Sequence, residues 1–347
     1  MKKLALLATA LAMVSSSAMA ADMYVKAVKA PPPPAYDPWD FAFGAALMND
    51  YIFRGVTQSN HKPSVAAYFE PRYNVTKDLQ LYIGAAGESI SFPNRAAAEI
   101  DIYGGIRPTV GMFAFDFGVW GYLYPGGQCF NAFATPGSGI PGSDASCAVS
   151  PAGNSDPFTL GLPINGNFAK KSASFYEVYA KVNVTINDQF QVGLNEYYSP
   201  NFLNLGAWGN YASITGKWTA PSTTFGTSGI GMYISGEFGR QWLGTSDRFY
   251  GTQIPGQVFQ FGIPEPSYNT WNIGVGFTYK VFTLDFRYSD TNLSKGQCNA
   301  FTSDFTASVA SPANVSLINP GGFGSNWCSA TGIVKLSADL TAATNLK

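Results

Sequence analysis

From about residue 39 onward, apolar and polar residues change places at every second position, in about a dozen segments. Successive side chains of an extended strand point to opposite faces, so this alternation predicts β-strands with one apolar and one polar face. Segment 39–54 puts Phe41, Phe43, Ala45, Leu47, Tyr51 and Phe53 on one parity and Asp40, Asp50 and Arg54 on the other. Segment 97–110 sets Ala98, Ile100, Ile102 and Ile106 against Glu99, Asp101 and Arg107. Segments 112–124, 175–186, 269–279 and 281–288 repeat the pattern, and 63–75, 79–92, 189–198, 208–219, 229–242 and 331–340 show it less regularly. Pro71 inside its segment predicts a bulge or the end of pairing, and a phase change at Gly87-Glu88-Ser89 predicts a second bulge.

Alternation alone does not choose the solvent, because soluble sandwiches alternate too. The joins between segments do. Those near residues 74–78, 109–111, 187–188 and 280–281 are tight, and 220–228 is the longest of that set. The intervening joins at 55–62, 125–174, 199–207, 241–268 and 291–330 are longer, with 93–96 a short exception. Short turns on one side and long loops on the other are the pattern of an outer-membrane barrel. Trp208 and Trp218 add a dimension, since they share one face. At ~3.4 Å per residue and ~45° tilt they stand about 24 Å apart along the membrane normal. The apolar band of such a barrel is ~25 Å tall, with aromatic girdles at both edges. Trp208, Trp218, Trp271 and Tyr279 are therefore expected in the girdles. The predicted fold is all-β: a closed antiparallel transmembrane β-barrel of about twelve strands, with short periplasmic turns and long external loops.

Composition strengthens that choice. Only 12% of residues are charged, 15% are aromatic and 37 are glycine, against about 25% charged residues in soluble domains. A net charge of −1 gives no reason to expect nucleic-acid binding. No run approaches the length of a transmembrane helix. Lys2 and Lys3, an apolar run over 4–14, and Ala18-Met19-Ala20 read in order as a secretory signal over 1–20. Pro31 to Pro34 mark 21–38 as an extended periplasmic segment. The barrel is then 39–340 and the C-terminal tail 341–347, in the outer membrane of a Gram-negative bacterium.

By parity, the lumen should hold Arg54, Glu70, Arg72, Glu99, Asp101, Arg107, Glu177, Lys181, Lys217, Glu237, Asp285 and Arg287. The signs are balanced, which predicts weak ion selectivity. Barrels of eight strands are filled and those of sixteen hold a channel, so twelve strands admit either a narrow pore or a lumen plugged by its own ion pairs.

Cys129, Cys147, Cys298 and Cys328 fall as two pairs within two long external loops. Export makes disulfides the default, and the local pairing, Cys129–Cys147 with Cys298–Cys328, closes the smallest loops. With no CxxC and with His61 the only histidine, neither a metal site nor a cofactor is expected. Ser59 and Ser64 flank His61, as a hydrolase pair would require. His61 nevertheless falls in a polar loop and reads as a solvated histidine, so no enzyme is expected.

The run Asp50-Tyr51-Ile52-Phe53-Arg54-Gly55-Val56-Thr57-Gln58, followed by polar residues and Pro63, resembles the TorF family of porin-like proteobacterial outer-membrane proteins. Ala98-Glu99-Ile100-Asp101-Ile102-Tyr103-Gly104-Gly105 is similar to a second element of that family. The resemblance implies a porin-like barrel and carries no particular substrate. The long cysteine-bearing loops depart from it. The expected function is passive diffusion of small polar solutes or ions through the barrel, with outer-membrane lipid around it. The alternative is a non-conducting structural or adhesive barrel that presents its loops. Nothing in the pattern selects an oligomeric state.

Overall fold

The computed structural model describes residues 38–129, 169–250, 253–254, 257–258, 262–307, 309–319 and 321–346. The expected signal, most of the proline-rich segment, Cys147 and most of the loop after residue 124 lie outside the described residues.

Twelve antiparallel strands close into one barrel. In chain order they are β1 Trp39–Met48, β2 Ser64–Thr76, β3 Leu79–Glu88, β4 Glu99–Val110, β5 Phe113–Leu123 and β6 Phe175–Thr185. β7 Phe190–Ser199, β8 Gly209–Thr219, β9 Ile230–Leu243, β10 Tyr268–Tyr279, β11 Phe282–Thr291 and β12 Thr331–Thr341 complete it. Each strand pairs with its sequence neighbours, and β1 closes on β12 from Ala42↔Thr341 to Met48↔Lys335. No sheet edge remains in the barrel, which is the condition for a β-structure to stand in hydrocarbon.

Burial is inverted relative to a water-soluble protein. Ile83 is 60% exposed and Ile273 58% exposed on the outside, while Glu70 and Glu177 are 1% and 0% exposed within. Leaving so many aliphatic side chains outside costs little only if the surrounding solvent is apolar. No described helix is long and apolar enough to cross a membrane.

Both described chain ends lie at one end of the barrel with the short joins, such as Lys77-Asp78, Gly111-Met112 and Lys280-Val281. The opposite, loop end carries the joins 49–63, 89–98, 124–174, 200–208, 244–267 and 292–330. The last of these contains helix α1 Lys295–Thr302, with a Ser294 capping box, and is closed by the Cys298–Cys328 disulfide. The loops do not stand apart. Phe92, Tyr124, Phe202, Leu205, Phe301 and Trp327 share one buried apolar core over the barrel's loop end.

Three local expectations are corrected. Pro71 stays within β2 opposite Phe41, with the register to β3 unchanged on either side of it. The ladder to β3 skips Glu70 and Pro71, so the missing N–H is accommodated by a gap, and the register shift falls later, between Asn74 and Thr76. No bulge occurs at Gly87, where pairing runs unbroken from Ala86↔Asp101 to Glu88↔Glu99. Glu88 thereby stays in phase with the inward positions. The first strand ends at Met48, so Tyr51 and Phe53 do not continue its outward face.

Glycine and tyrosine set the shape of the wall. Where Gly276 faces Tyr233 across β9 and β10, a Cβ would lie 2.1 Å from the tyrosine Cζ. The ring lies flat over the bare backbone, and the same arrangement recurs with Gly84 under Tyr103 and Gly118 under Tyr179. Aromatic cover of strand glycines is how a curved sheet fills the space that the missing side chain leaves.

Candidate functional site

The site begins where β1 ends. Ile52–Phe53 and Val56–Thr57 pair as a miniature hairpin around Arg54 and Gly55. Both turn residues have positive φ, 48° and 80°, as a two-residue hairpin turn of the primed type requires. Gly55 has a second reason to be glycine, since a Cβ would stand 2.3 Å from Thr291 Cγ2 on the barrel wall. The hairpin is thus pressed across the lumen against β10 and β11.

Its tip carries Arg54 to the opposite wall. Nη1 and Nη2 donate to the two carboxylate oxygens of Glu177 on β6, at 2.8 and 2.7 Å. Nη1 also donates to Gln241 Oε1 on β9 at 2.9 Å. The guanidinium lies 4.4 Å from the ring centre of Tyr211 and 4.9 Å from that of Tyr197. Tyr122 donates to Glu177 as well. A two-pronged, charge-assisted pair with both groups buried fixes direction as well as distance.

The stem is held by Asp50, which is 2% exposed. It accepts from Thr57 Oγ1 and Ser59 Oγ, and its other oxygen lies 2.7 Å from His61 Nδ1. The second ring nitrogen, Nε2, lies 3.1 Å from the backbone oxygen of Asn326. Two acceptors call for two N–H groups, so the imidazole fits as imidazolium. The hydrogen bond to Asp50 raises the His61 pKa above its ordinary value, against the opposing effect of burial. His61 is an exposed loop histidine, as expected, but both of its ring nitrogens are engaged. Ser59 does not reach it, since Ser59 Oγ bonds to Asp50 and to the Lys62 carbonyl. The stem is tied to the disulfide-closed loop by Thr57 N–H donating to the Trp327 carbonyl at 2.9 Å.

Beneath the hairpin lies a chamber of about 570 Å³, roofed by Asp50, Tyr51 and Ile52 and walled by residues from opposite sides of the barrel. Glu70, Glu237, Asp285, Lys217 and Arg287 line it. Arg287 bonds Asp285, Asn272 and Ser235. Glu237 accepts from Tyr211 at 2.8 Å. Arg72 and Arg107 converge on Glu70 at 2.6 and 2.8 Å, and Arg107 also reaches Asp116 at 3.4 Å. The Lys181 ammonium stands 4.4 Å from the Tyr179 ring centre. Glu99 and Asp101 are 2% and 4% exposed on β4, beside Glu88.

Of the twelve residues assigned inward by parity, eleven lie on barrel strands and Arg54 on the hairpin. Trp208, Trp218, Trp271 and Tyr279 lie on the outward parity, with Trp208 at the loop end of β8 and Tyr279 at the turn end of β10. The Cys298–Cys328 bridge is formed. Cys129 is disulfide-bonded, and its expected partner Cys147 lies outside the described residues. The parity set missed Asp116, buried between the aromatic positions Phe115 and Phe117, and Gln241, at 0% exposure. Asp116 was legible from its place opposite Lys181 had strand pairing been available. Gln241 is uncharged and gave no signal.

A family model described as a bacterial protein of unknown function (Gcw_chp) matches residues 34–135, which include the hairpin and the first five strands. No curated protein matches the sequence. Among solved structures, an outer-membrane channel from Pseudomonas putida F1 is similar over 90% of this chain and 100% of its own, at 9% identity and a TM-score of 0.39. LpxR from Salmonella typhimurium is similar over 86% and 99%, at 9% identity and TM-score 0.38. The NanC porin is similar over 87% and 100%, at 7% identity and TM-score 0.37. At such identities and scores these likenesses say nothing about activity.

Proposed function

We propose that this barrel is a porin-like channel of a Gram-negative outer membrane, that it passes small polar solutes and ions, and that the hairpin at 52–57 closes its outer mouth. The observation that carries this reading is the chamber of about 570 Å³ lined by both signs of charge beneath the hairpin. A barrel built only as a scaffold has no need of a polar cavity this large, whereas solute passage requires one. The outward apolar face supports strands standing in lipid, with the short joins on the periplasmic side. The resemblance of residues 50–64 to porin-like proteins supports the same reading. No catalytic role is assigned, because both nitrogens of His61 are engaged in holding the loop.

The shared apolar core of the external loops favours a second reading, a non-conducting barrel that presents a rigid outer surface. Swelling of protein-loaded liposomes in small sugars and amino acids separates the two. Slow swelling with the unaltered protein and faster swelling with Arg54→Ala supports the channel. No swelling with either folded protein leaves the second reading.

A further inference from the structure

We propose that Glu88, Glu99 and Asp101 form a binding site for a hard divalent cation, with Ca²⁺ the best fit, that braces the stem of the mouth hairpin. The three carboxylates are brought together by strand register. Glu88 at the end of β3 faces Glu99 at the start of β4, and Asp101 follows Glu99 on the same inward parity. One oxygen from each lies within 4.8 Å of the others. Two oxygens bound to Ca²⁺ at about 2.4 Å stand at most about 4.8 Å apart, so the group can converge on one ion with little movement. An all-oxygen carboxylate set suits Ca²⁺, Mg²⁺ or Mn²⁺ rather than zinc or copper.

A second observation points to a ligand. Asp101 is 4% exposed, with the Trp120 indole N–H beside its carboxylate, yet its Oδ1 is in no close hydrogen bond, and neither is Glu88 Oε2. Buried polar atoms are nearly always satisfied, and orphaned acceptors on neighbouring carboxylates call for a cation or protons between them. Several other lumen carboxylates have cations: Glu70 has Arg72 and Arg107, Glu177 has Arg54, and Asp285 has Arg287, while Glu237 and Asp339 are held by neutral donors. Among the described residues none of the three is in an ion pair. Like charges on directly opposed strand positions are destabilising unless neutralised.

The site touches the mouth. The Tyr51 hydroxyl donates to Glu99 Oε1 at 2.8 Å, which joins the hairpin stem to the carboxylate group. A cation there would fix Glu99 and, through it, Tyr51. This holds whether or not the barrel conducts.

The test is Tb³⁺ luminescence on refolded, EDTA-washed protein in lipid-free detergent micelles, excited through aromatic residues, since the Tyr51 phenol lies on Glu99. The expected result is one saturable signal displaced by Ca²⁺, weakened at least about tenfold by Asp101→Asn and by Glu88→Gln. Folding of each variant is checked by its mobility on unheated gels. Independently of the variants, Ca²⁺ should raise the midpoint of heat unfolding of the unaltered protein relative to EDTA. The proposal is overturned by no Ca²⁺-displaceable signal, by an unchanged signal in the folded variants, or by an unchanged midpoint with Ca²⁺. Those results would leave the group neutralised by protons.

Discussion

Arg54 and Glu177 lie 123 positions apart in sequence and meet in a two-pronged ion pair inside the barrel. Arg54 comes from a loop and Glu177 from the wall, so the pair ties the hairpin to the barrel. At 5% and 0% side-chain exposure, neither group has water to fall back on. Removing one partner of such a pair strands the other charge, which typically costs about 3–5 kcal/mol.

Arg54→Ala is accordingly expected to destabilise the docked hairpin by about that amount. Arg54→Lys should recover little, because an ammonium cannot make both bonds to Glu177 and the bond to Gln241 in the same geometry. Limited proteolysis within 49–63 checks this. Cleavage should accelerate in both variants while the barrel core stays resistant. Equal protection of Arg54→Ala and the unaltered protein would show that the pair does not hold the loop.

The loop-end cap should loosen as pH rises. His61 gains Asp50 in the folded cap and its pKa is raised above the ordinary 6.5. Its stabilising contribution is complete below that ordinary value and is lost as pH climbs through the folded one. Glu265, in the 244–267 loop, is pushed up to about 8 by burial, from an ordinary 4.5. Its ionisation makes folding of that loop more costly as pH rises from the ordinary value to about 8. Both groups act in the same direction. Hydrogen exchange of the loop amides, corrected for intrinsic rates, should show greater protection at pH 6 than at pH 9, on the order of the window set by these groups. His61→Gln should reduce the difference and leave the share set by Glu265. Protection that increases with pH would contradict the assignment.

Gly276→Ala should push Tyr233 off the wall. The added Cβ meets the ring at 2.1 Å, and the ring's hydroxyl bond to Asp285 would be lost as it swings into the chamber. Because the chamber has room for it, the cost should be moderate, about 1–3 kcal/mol. The midpoint of heat unfolding on gels measures it. An unchanged midpoint would mean that the ring is not held against the backbone.

The Cys298–Cys328 bridge, spanning 30 positions, should contribute about 3–4 kcal/mol to the loop it closes. A non-reducing digest should give this bridge in a peptide separate from Cys129 and Cys147. A peptide joining Cys129 or Cys147 to Cys298 or Cys328 would refute local pairing.

Most of the barrel was legible because a wall between hydrocarbon and a polar lumen imposes period two on every strand. The parity that separates Ile100 and Ile102 from Glu99 and Asp101 is the same physical fact as their final faces. The hairpin was not legible on those terms. Tyr51 and Phe53 keep the outward parity of Phe41 and Leu47, and only Gly55 after Arg54 hinted that the chain had already turned back. The run Asp50 to Gln58 is the segment that forms the hairpin and its stem. The opposition of Glu88 and Glu99 needed the register between β3 and β4. Alternation within one strand does not reveal register, and a bulge expected at Gly87 would have put Glu88 out of phase. The packing of the loops into one core depends on contacts between segments hundreds of positions apart, such as the hydrogen bond between Trp327 and Asn60.

Single-channel recording in planar bilayers tests the central claim, that a polar lumen is closed at its outer mouth by the Arg54 hairpin. The unaltered protein should show rare or small conductance steps, and folded Arg54→Ala should show larger or more frequent ones of weak ion selectivity. Traces that do not differ between the two proteins, whether silent or steadily open, would contradict it.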